Sequence, residues 1–256
     1  MDKLIIIDSG HNEYVSGKQS PDGTFKEWGF NNQMQYKLKK RCEDHNISVY
    51  LTNPSPQGKD EIGLTKRATL ANTYWANQNK PKALFLSIHA NAYLSYFNSA
   101  RGTETYTASN ASTNSKNAAK YVQENLVDAI KAIDSTAKDR GLKTADFTVI
   151  YKANMPSILV EYAFYTNKED LAILNNNKDE MIEGTMKGLC KYFGITYKAP
   201  SDSNINDNTD DNNTDNGTIY YRVVVGSYTN KENAEAMVAE LKSKGYDPFI
   251  VAYKKE

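Results

Sequence analysis

The sequence predicts an α/β fold with a mostly parallel, twisted sheet flanked by helices, followed by a small βαβ unit near the C-terminal end. Short apolar runs alternate with helical patterns from residue 3 to about residue 195, which is the order expected when helices connect parallel strands. The first run contains isoleucines at 5–7 without polar alternation, a pattern typical of a strand covered on both faces. These two observations predict the architecture of the larger part of the chain.

Six apolar runs are predicted to be strands, and apolar residues spaced by three and four predict the helices between them. The predicted strands are LIIID, ISVYL, ALFLSIHA, TETYT, FTVIY and SILVEYAF. Two helix stripes consist of Phe30, Met34, Leu38 and Cys42, and of Ala118, Val122, Ala129 and Ile133. A last helix, KDEMIEGTMKGLCKYFG, ends this unit with Gly194 as its C-cap.

The composition changes abruptly after residue 197. Residues 198–217 contain one isoleucine, no aromatic residue and a run of Asn and Asp, so we predict a flexible acidic linker there. Residues 218–256 have the pattern of strand, helix and strand, with the strands near 221–225 and 249–253. The helix stripe consists of Ala234, Met237, Val238 and Leu241. We therefore predict a catalytic domain at 1–197, a linker at 198–217 and a small unit at 218–256.

Composition excludes several classes of protein. Thirty-one basic and thirty-one acidic residues cancel, which argues against a nucleic-acid-binding function. Cys42 and Cys190 belong to no CxxC pair, so we expect buried, reduced thiols and no disulfide framework. No apolar run approaches the roughly 20 residues that span a bilayer, and no signal-peptide pattern precedes the first strand. We expect a protein that does not insert into a membrane, is made in the cytoplasm and acts elsewhere only after release.

Two of the three histidines follow predicted buried strands. His11 and His89 are therefore expected at the carboxyl edge of the sheet, where ligands of such folds bind, whereas His45 is interpreted as a residue at a helix C-terminus. Two histidines need a third ligand to hold a catalytic zinc ion with an open position. Glu27, at the start of the first long helix, and Glu13, close to His11, are both candidates, and chemistry alone favours Glu27 only modestly.

An acidic residue, Glu161, lies within the apolar run SILVEYAFY. A carboxylate in such a strand is costly unless it is paired or its pKa is shifted, and such residues concentrate in active sites. One interpretation is a structural ion pair with Arg67 or Arg101. The other is a general base that acts on water at a metal centre.

Several short motifs occur together in residues 3–195. In chain order they are Gly10 and His11 after the first strand, Glu27 opening a helix that contains Asn31, LTKRATLAN with Arg67 and Asn72, SIHANA with His89 and Asn91, GTE at 102–104, RGLK at 140–143, and PSILVEYAFYTN with Glu161 and Asn167. This set resembles the zinc-dependent N-acetylmuramoyl-L-alanine amidases of bacterial autolysins and phage endolysins. The resemblance is strong because all of the motifs appear in this order.

The resemblance implies a reaction and a set of roles. It implies that Zn²⁺ is bound by His11, Glu27 and His89, which favours Glu27 over Glu13, and that Glu161 is the catalytic acid/base. It also implies that the bond hydrolysed joins N-acetylmuramic acid to L-alanine in peptidoglycan. Asn91 is predicted to contact the substrate.

The C-terminal unit has a resemblance of its own. YYRVVVGSYTNKENAEAMVAELKSKGYDPFIV is similar to the first half of a SPOR domain, a module that binds peptidoglycan glycan. A helix on two strands is too small to bury much of its apolar surface. We therefore expect residues 218–256 to bind the cell wall, and to pair with a second copy as a homodimer or to dock elsewhere.

Two other functions are compatible with the same residues. One is a peptidoglycan-binding or regulatory protein that keeps the fold without turnover, although the complete ligand set with Glu161 argues against it. The other is a zinc carboxypeptidase that trims the stem peptide, which differs in the bond that it cuts.

Overall fold

The computed structural model describes residues 2–54, 62–200 and 230–243 of the 256-residue chain. Contacts divide the chain into two compact units, Met1–Asn204 and Ile205–Glu256. The predicted domain limits at 197 and 217 stay predictions. Among the described residues, no helix combines the length and the apolar content that crossing a bilayer requires.

The described part of the first unit contains one six-stranded sheet and six helices. The strands are β1 (Lys3–Ser9), β2 (Ser48–Leu51), β3 (Lys82–Asn91), β4 (Thr103–Thr107), β5 (Asp139–Thr144) and β6 (Ser157–Phe164). The helices are α1 (Glu27–Asp44), α2 (Leu64–Asn77), α3 (Thr113–Ile133), α4 (Thr148–Tyr151), α5 (Lys168–Asn176) and α6 (Lys178–Phe193).

The strand order across the sheet is β2-β1-β3-β6-β4-β5. The pairs β1–β2, β1–β3, β3–β6 and β4–β5 are parallel, and only the described pair β4–β6 is antiparallel. The predicted fold class, an α/β protein with a mostly parallel sheet, is therefore confirmed. Since β1, β3 and β6 run side by side in the same direction, their carboxyl ends lie at one edge.

The core forms on both faces of the sheet, as the continuous apolar runs predict. Ile5 and Ile7 pack into the cluster that includes the buried residues of α1, α3 and α6, whereas Ile6 packs into a second cluster with residues of α2 and α4. All three isoleucines are fully buried, and each burial contributes roughly 1.5–3 kcal/mol relative to exposure. The predicted α1 stripe is buried throughout, and Cys42 and Cys190 are both buried and free.

Two predicted helix ends agree with the structure, and one stripe residue does not. His45 is the C-cap residue of α1, and Gly194 caps α6 in the left-handed conformation with φ of 68°. Ile133, predicted to lie on the α3 stripe, is instead exposed at the end of that helix. The α3 face that is buried carries Ala118, Ala119, Val122, Leu126 and Ile130.

The strand predicted from FTVIY is wrong. Residues Thr148–Tyr151 form the short helix α4, and Val149 and Ile150 are buried on it. A short apolar run without neighbouring periodicity is compatible with either state, and its packing against β3, β6 and α2 selects the helix. The sixth strand is instead β5, a polar edge strand whose side chains are mostly exposed. Because an edge strand buries little surface, its sequence needs no run of apolar residues, and the apolar pattern therefore does not predict β5.

The described part of the second unit consists of helix α7 (Lys231–Ser243). This helix coincides with the predicted one. Its four stripe residues, Ala234, Met237, Val238 and Leu241, are less exposed than their neighbours. The strands predicted near 221–225 and 249–253 lie outside the described residues.

Candidate active site

Three ligand-type side chains converge at the carboxyl edge of the sheet. His11 lies two residues beyond β1, His89 lies near the end of β3, and Glu27 is the first residue of α1. Each offers one ligand atom, and these atoms lie within 4.8 Å of one another. The fold therefore joins residues that are up to 78 positions apart in the sequence into one cluster.

Glu27 lies between the two imidazoles. Its Oε2 is 3.4 Å from His11 Nε2 and its Oε1 is 3.1 Å from His89 Nδ1, while the two rings stand at 89° with centroids 5.2 Å apart. Oε1 also accepts the backbone N–H of Ala90 at 3.2 Å. Burial raises the pKa of Glu27, but hydrogen bonds and charge interactions with both histidines outweigh burial and lower it below its usual range. Glu27 is therefore held as a carboxylate.

The backbone of His11 is held in an unusual conformation. Its φ is 61°, a left-handed value that costs free energy for a residue with a Cβ atom. Asn53 Nδ2 donates to the carbonyls of Ser9 and His11, both at 3.0 Å, and Asn31 Nδ2 donates to the carbonyl of Gly10 at 3.1 Å. These hydrogen bonds stabilise the turn that brings the imidazole of His11 to Glu27.

A buried polar network supports the same turn from below. Arg67 Nη1 pairs with Asp8 Oδ2 at 3.1 Å and donates to the Ser9 carbonyl at 3.1 Å. Asp8 also accepts from Thr52 at 2.5 Å and from Ser87 at 2.7 Å. A buried ion pair is costly unless its groups are well hydrogen-bonded, and here both Arg67 and Asp8 have further partners. The arginine of the LTKRATLAN motif therefore has a structural role.

Gly10 leaves space that His89 occupies. A Cβ atom at this position would lie within 2.6 Å of both ring nitrogens of His89. We predict that Gly10→Ala folds but displaces the imidazole from Glu27 and weakens metal binding on the order of 10- to 100-fold. That is the range lost when groups that orient a metal ligand are removed. Titration of the metal-free protein with zinc by calorimetry measures the effect.

Gly29→Ala is the matched control, because a Cβ atom at Gly29 would contact nothing within 4 Å. This variant should bind zinc as the unsubstituted chain does. Equal zinc affinity in Gly10→Ala would show that His89 does not need the space above Gly10.

Glu161 lies beside the cluster. In the sheet it is the register partner of His89 on β3 and of Glu104 on β4, so these three side chains lie in one row on one face. Its Oε2 is buried and has no hydrogen-bond partner in the described part of the chain. Burial raises the pKa of Glu161 well above its usual range, and the negative charges of Glu27 and Glu104 raise it further. Glu161 is thus placed to hold and release a proton next to the cluster.

The structure does not support the ion-pair interpretation of Glu161. Arg67 pairs with Asp8, and Arg101 pairs with Asp134 at 2.7 Å and with Asp170 at 3.0 Å. Within residues 2–54, 62–200 and 230–243, no arginine or lysine forms an ion pair with Glu161.

The remaining sequence candidates lie apart from the cluster. Glu13 is exposed in the loop after β1 and does not belong to the group of potential ligands. His45 is buried, with its Nδ1 2.7 Å from the carbonyl of Arg41 and its Nε2 accepting the backbone N–H of Lys198 at 2.9 Å. Both ring nitrogens therefore serve the end of α1 and the chain after α6.

Glu104 on β4 and Arg140 on β5 have no predicted role of their own, although Glu104 is the register partner of Glu161. Glu104 is buried and accepts hydrogen bonds from Asn91 Nδ2 at 2.7 Å, from the Tyr106 hydroxyl at 2.8 Å and from Arg140 Nε at 2.7 Å. The motifs GTE and RGLK contain Glu104 and Arg140, so the signal was present in the sequence. The apolar pattern does not predict a strand at 139–144, and only the pairing of that strand with β4 brings the two motifs together.

The fold and the site together define a class of protein, an enzyme with a mostly parallel sheet between helices, a His/Glu/His cluster suited to a metal ion and a carboxyl group beside that cluster. The family model for N-acetylmuramoyl-L-alanine amidases of the Amidase_3 type matches residues 5–191, which is most of the chain. The chain belongs to this family and is an enzyme of this class, acting on the peptidoglycan of the bacterial cell wall. The SPOR domain model matches residues 203–254.

Relatives and solved structures agree with this assignment. The amidase CwlM of Bacillus licheniformis is 28% identical over 249 residues, covering 96% of this chain and 84% of that protein. The amidase LytC of Bacillus subtilis is 42% identical over 195 residues, and the match spans 75% of this chain but only 36% of LytC. The crystal structure of an N-acetylmuramoyl-L-alanine amidase from Clostridium difficile 630 is 30% identical, with a TM-score of 0.65 over 75% of this chain and 97% of that chain.

Proposed function

We propose that this amidase is zinc-dependent, with Zn²⁺ bound by His11, Glu27 and His89 and with Glu161 as its catalytic acid/base. The reaction is hydrolysis of the amide bond between N-acetylmuramic acid and L-alanine. The observation that carries the proposal is the His/Glu/His cluster with the unpartnered carboxyl group of Glu161 beside it.

The donor set fits zinc. Two imidazole nitrogens and one carboxylate oxygen are ligands that catalytic zinc sites use, and three protein ligands leave a position open. Glu27 is held ionised, as a ligand must be, and His11 and His89 are partly exposed, so the cluster is accessible. When bound, zinc lowers the pKa of water and polarises a carbonyl group.

The residues of the chain supply the proton transfers. Glu161 takes a proton from the attacking water at its carboxylate and returns that proton to the nitrogen of the departing amine. An amine leaves poorly without this proton. Burial and the negative charges of Glu27 and Glu104 raise the pKa of Glu161, so the carboxylate that has taken the proton from water holds it until the amine departs.

Asn91 is proposed to contact the substrate. It ends β3 two residues after His89, where its Oδ1 accepts the backbone N–H of Ala92 and its Nδ2 donates to Glu104. One N–H of Nδ2 has no partner among the described residues. Because the side-chain amide is oriented by these two bonds, that N–H can donate to a substrate carbonyl.

Two measurements test this function. Zinc titration should give one bound ion per chain, and digestion of purified cell walls should release new amino termini on L-alanine. A binding protein without turnover would release none, and mass spectrometry of the products would show a carboxypeptidase by loss of residues from the end of the stem peptide.

The C-terminal unit is proposed to hold the enzyme on the wall and to pair as a homodimer. The SPOR match supports peptidoglycan as its binding partner. Helix α7 shows a stripe of partly exposed apolar residues, and such a small unit buries little of its own surface. Light scattering should give a dimer for the full chain and a monomer for a chain ending at residue 200. Monomers in both cases would contradict the pairing.

A further inference from the structure

Arg140 lies at an irregularity of the sheet close to the site. Thr103 pairs with Asp139, but the next residue, Glu104, pairs with Gly141, so Arg140 is an extra residue between two registered pairs. Gly141 has φ of 74°, which permits this bulge. Bulges are uncommon between parallel strands and often redirect a side chain beside an active site.

The Arg140 side chain is held by contacts of its Nε atom and its guanidinium carbon. Arg140 Nε donates to Glu104 Oε2 at 2.7 Å, and the guanidinium carbon lies 4.8 Å from the centre of the Phe164 ring. Glu104 is in turn the register partner of Glu161. The guanidinium group is therefore held by Glu104, the residue that pairs across the sheet with the proposed catalytic residue Glu161.

The two terminal Nη groups of Arg140 make no hydrogen bond in the described part of the chain. A pair that served only to neutralise Glu104 would favour two parallel hydrogen bonds, but here only Nε is engaged. Within the described residues both Nη groups have no hydrogen-bond partner, and the side chain is 37% exposed. Arg140 thus presents a planar pair of donors to solvent beside the active site.

We propose that Arg140 binds a free carboxylate of the stem peptide, namely the α-carboxylate of the second residue after the bond that is cut. This inference rests on the proposed function, because it names a part of that substrate. Both sugars of the glycan are uncharged once the lactyl group is amidated, so the anionic groups of the substrate belong to the peptide. A guanidinium group recognises a carboxylate by two parallel hydrogen bonds.

The distances agree with this assignment. Two strand spacings of about 4.8 Å separate the backbone of β6, which carries Glu161, from that of β5, which carries Arg140. Arg140 hydrogen-bonds to Glu104 on β4, the strand between β5 and β6, so its guanidinium group is closer to Glu161 than the β5 backbone is. An extended peptide advances about 3.5 Å per residue, so the carboxylate of the second residue lies roughly 7 Å from the scissile bond.

The test uses two soluble substrates that differ in one group. One is N-acetylmuramoyl-L-alanyl-γ-D-glutamyl-L-lysine amide, and the other carries a carboxamide in place of the glutamyl α-carboxylate. We expect the unsubstituted zinc enzyme to prefer the carboxylate substrate roughly 10- to 100-fold in kcat/KM, mainly through KM, as one charge-assisted contact contributes. Arg140→Ala should abolish this preference.

Two further variants keep the test decisive. Arg140→Gln combined with Glu104→Gln removes both charges together, so no buried carboxylate is left unpaired, and it should also lose the preference. Lys143→Ala removes an exposed cation from the same strand and should keep it. The proposal is overturned if the unsubstituted enzyme shows no preference, or if Arg140→Ala lowers kcat/KM for both substrates equally.

A binding measurement separates this inference from the proposed function. Calorimetry with the Glu161→Gln variant should show tighter binding of the carboxylate substrate. Selective binding without cleavage of either substrate by the unsubstituted enzyme would refute the proposed reaction and support the subsite. Cleavage of both substrates with equal binding would refute the subsite alone.

Discussion

Glu161→Gln is expected to keep the fold and the bound zinc but to lose turnover by at least about 10²-fold. The substitution preserves the size of the side chain and removes the group that accepts the proton, and general acid/base groups contribute factors of this order. Since Oε2 has no partner among the described residues, the substitution breaks no hydrogen bond seen in the structure. The rate is measured on purified walls as release of amino termini, and zinc content by atomic absorption.

Glu124→Gln is the matched control. This residue is 51% exposed on α3, and its single ion pair, with Lys120 at 3.9 Å, contributes little to stability. Its rate should equal that of the unsubstituted enzyme. Turnover by Glu161→Gln at a comparable rate would show that this carboxyl group transfers no proton in the reaction.

Replacing either histidine of the cluster should remove zinc and activity together. His11→Ala or His89→Ala deletes one of three ligands, which should weaken zinc binding more than the 10- to 100-fold typical of losing an outer-shell partner. The remaining histidine and Glu27 stay close, so the fold should persist. Calorimetric zinc titration and circular dichroism of each variant measure the two properties separately.

His45→Gln controls for the loss of a histidine as such. His45 bonds to the carbonyl of Arg41 and the N–H of Lys198 and lies outside the cluster, so its substitution should affect stability and not zinc content. If His11→Ala or His89→Ala retained one tightly bound zinc ion and the full rate, the proposed ligand set would be wrong.

The buried strands could be predicted from the sequence because burial on both faces requires continuous apolar residues. Strand β1, with its three isoleucines, and strand β3, with the apolar run before His89, are both of this kind. Because parallel strands have their carboxyl ends at the same edge, both histidines are expected there. The meeting of His11 and His89 therefore follows from sequence pattern. The C-terminal helix of the first unit and its glycine cap were predictable for a similar reason, since helical spacing and a left-handed terminal residue are local properties.

The third member of the cluster could not be predicted from local chemistry. Glu13 is nearer to His11 in the sequence, and it is the path of the loop from β1 to α1 that brings Glu27 to both imidazoles. In that loop the N–H of Glu27 donates to the carbonyl of Lys18, and Ser20 bonds to Phe25. Only the family resemblance favoured Glu27 clearly.

What the sequence by itself determined is the α/β class, the strands that are covered on both faces and the edge at which the two histidines meet. The tertiary structure alone decided the edge strand β5, the helical state of Thr148–Tyr151 and the contacts of Glu104 and Arg140. The physical reason is the range of the interactions. Continuous burial leaves an apolar record in each segment, whereas an exposed edge strand, a short packed turn and a polar contact across strands depend on partners distant in the chain.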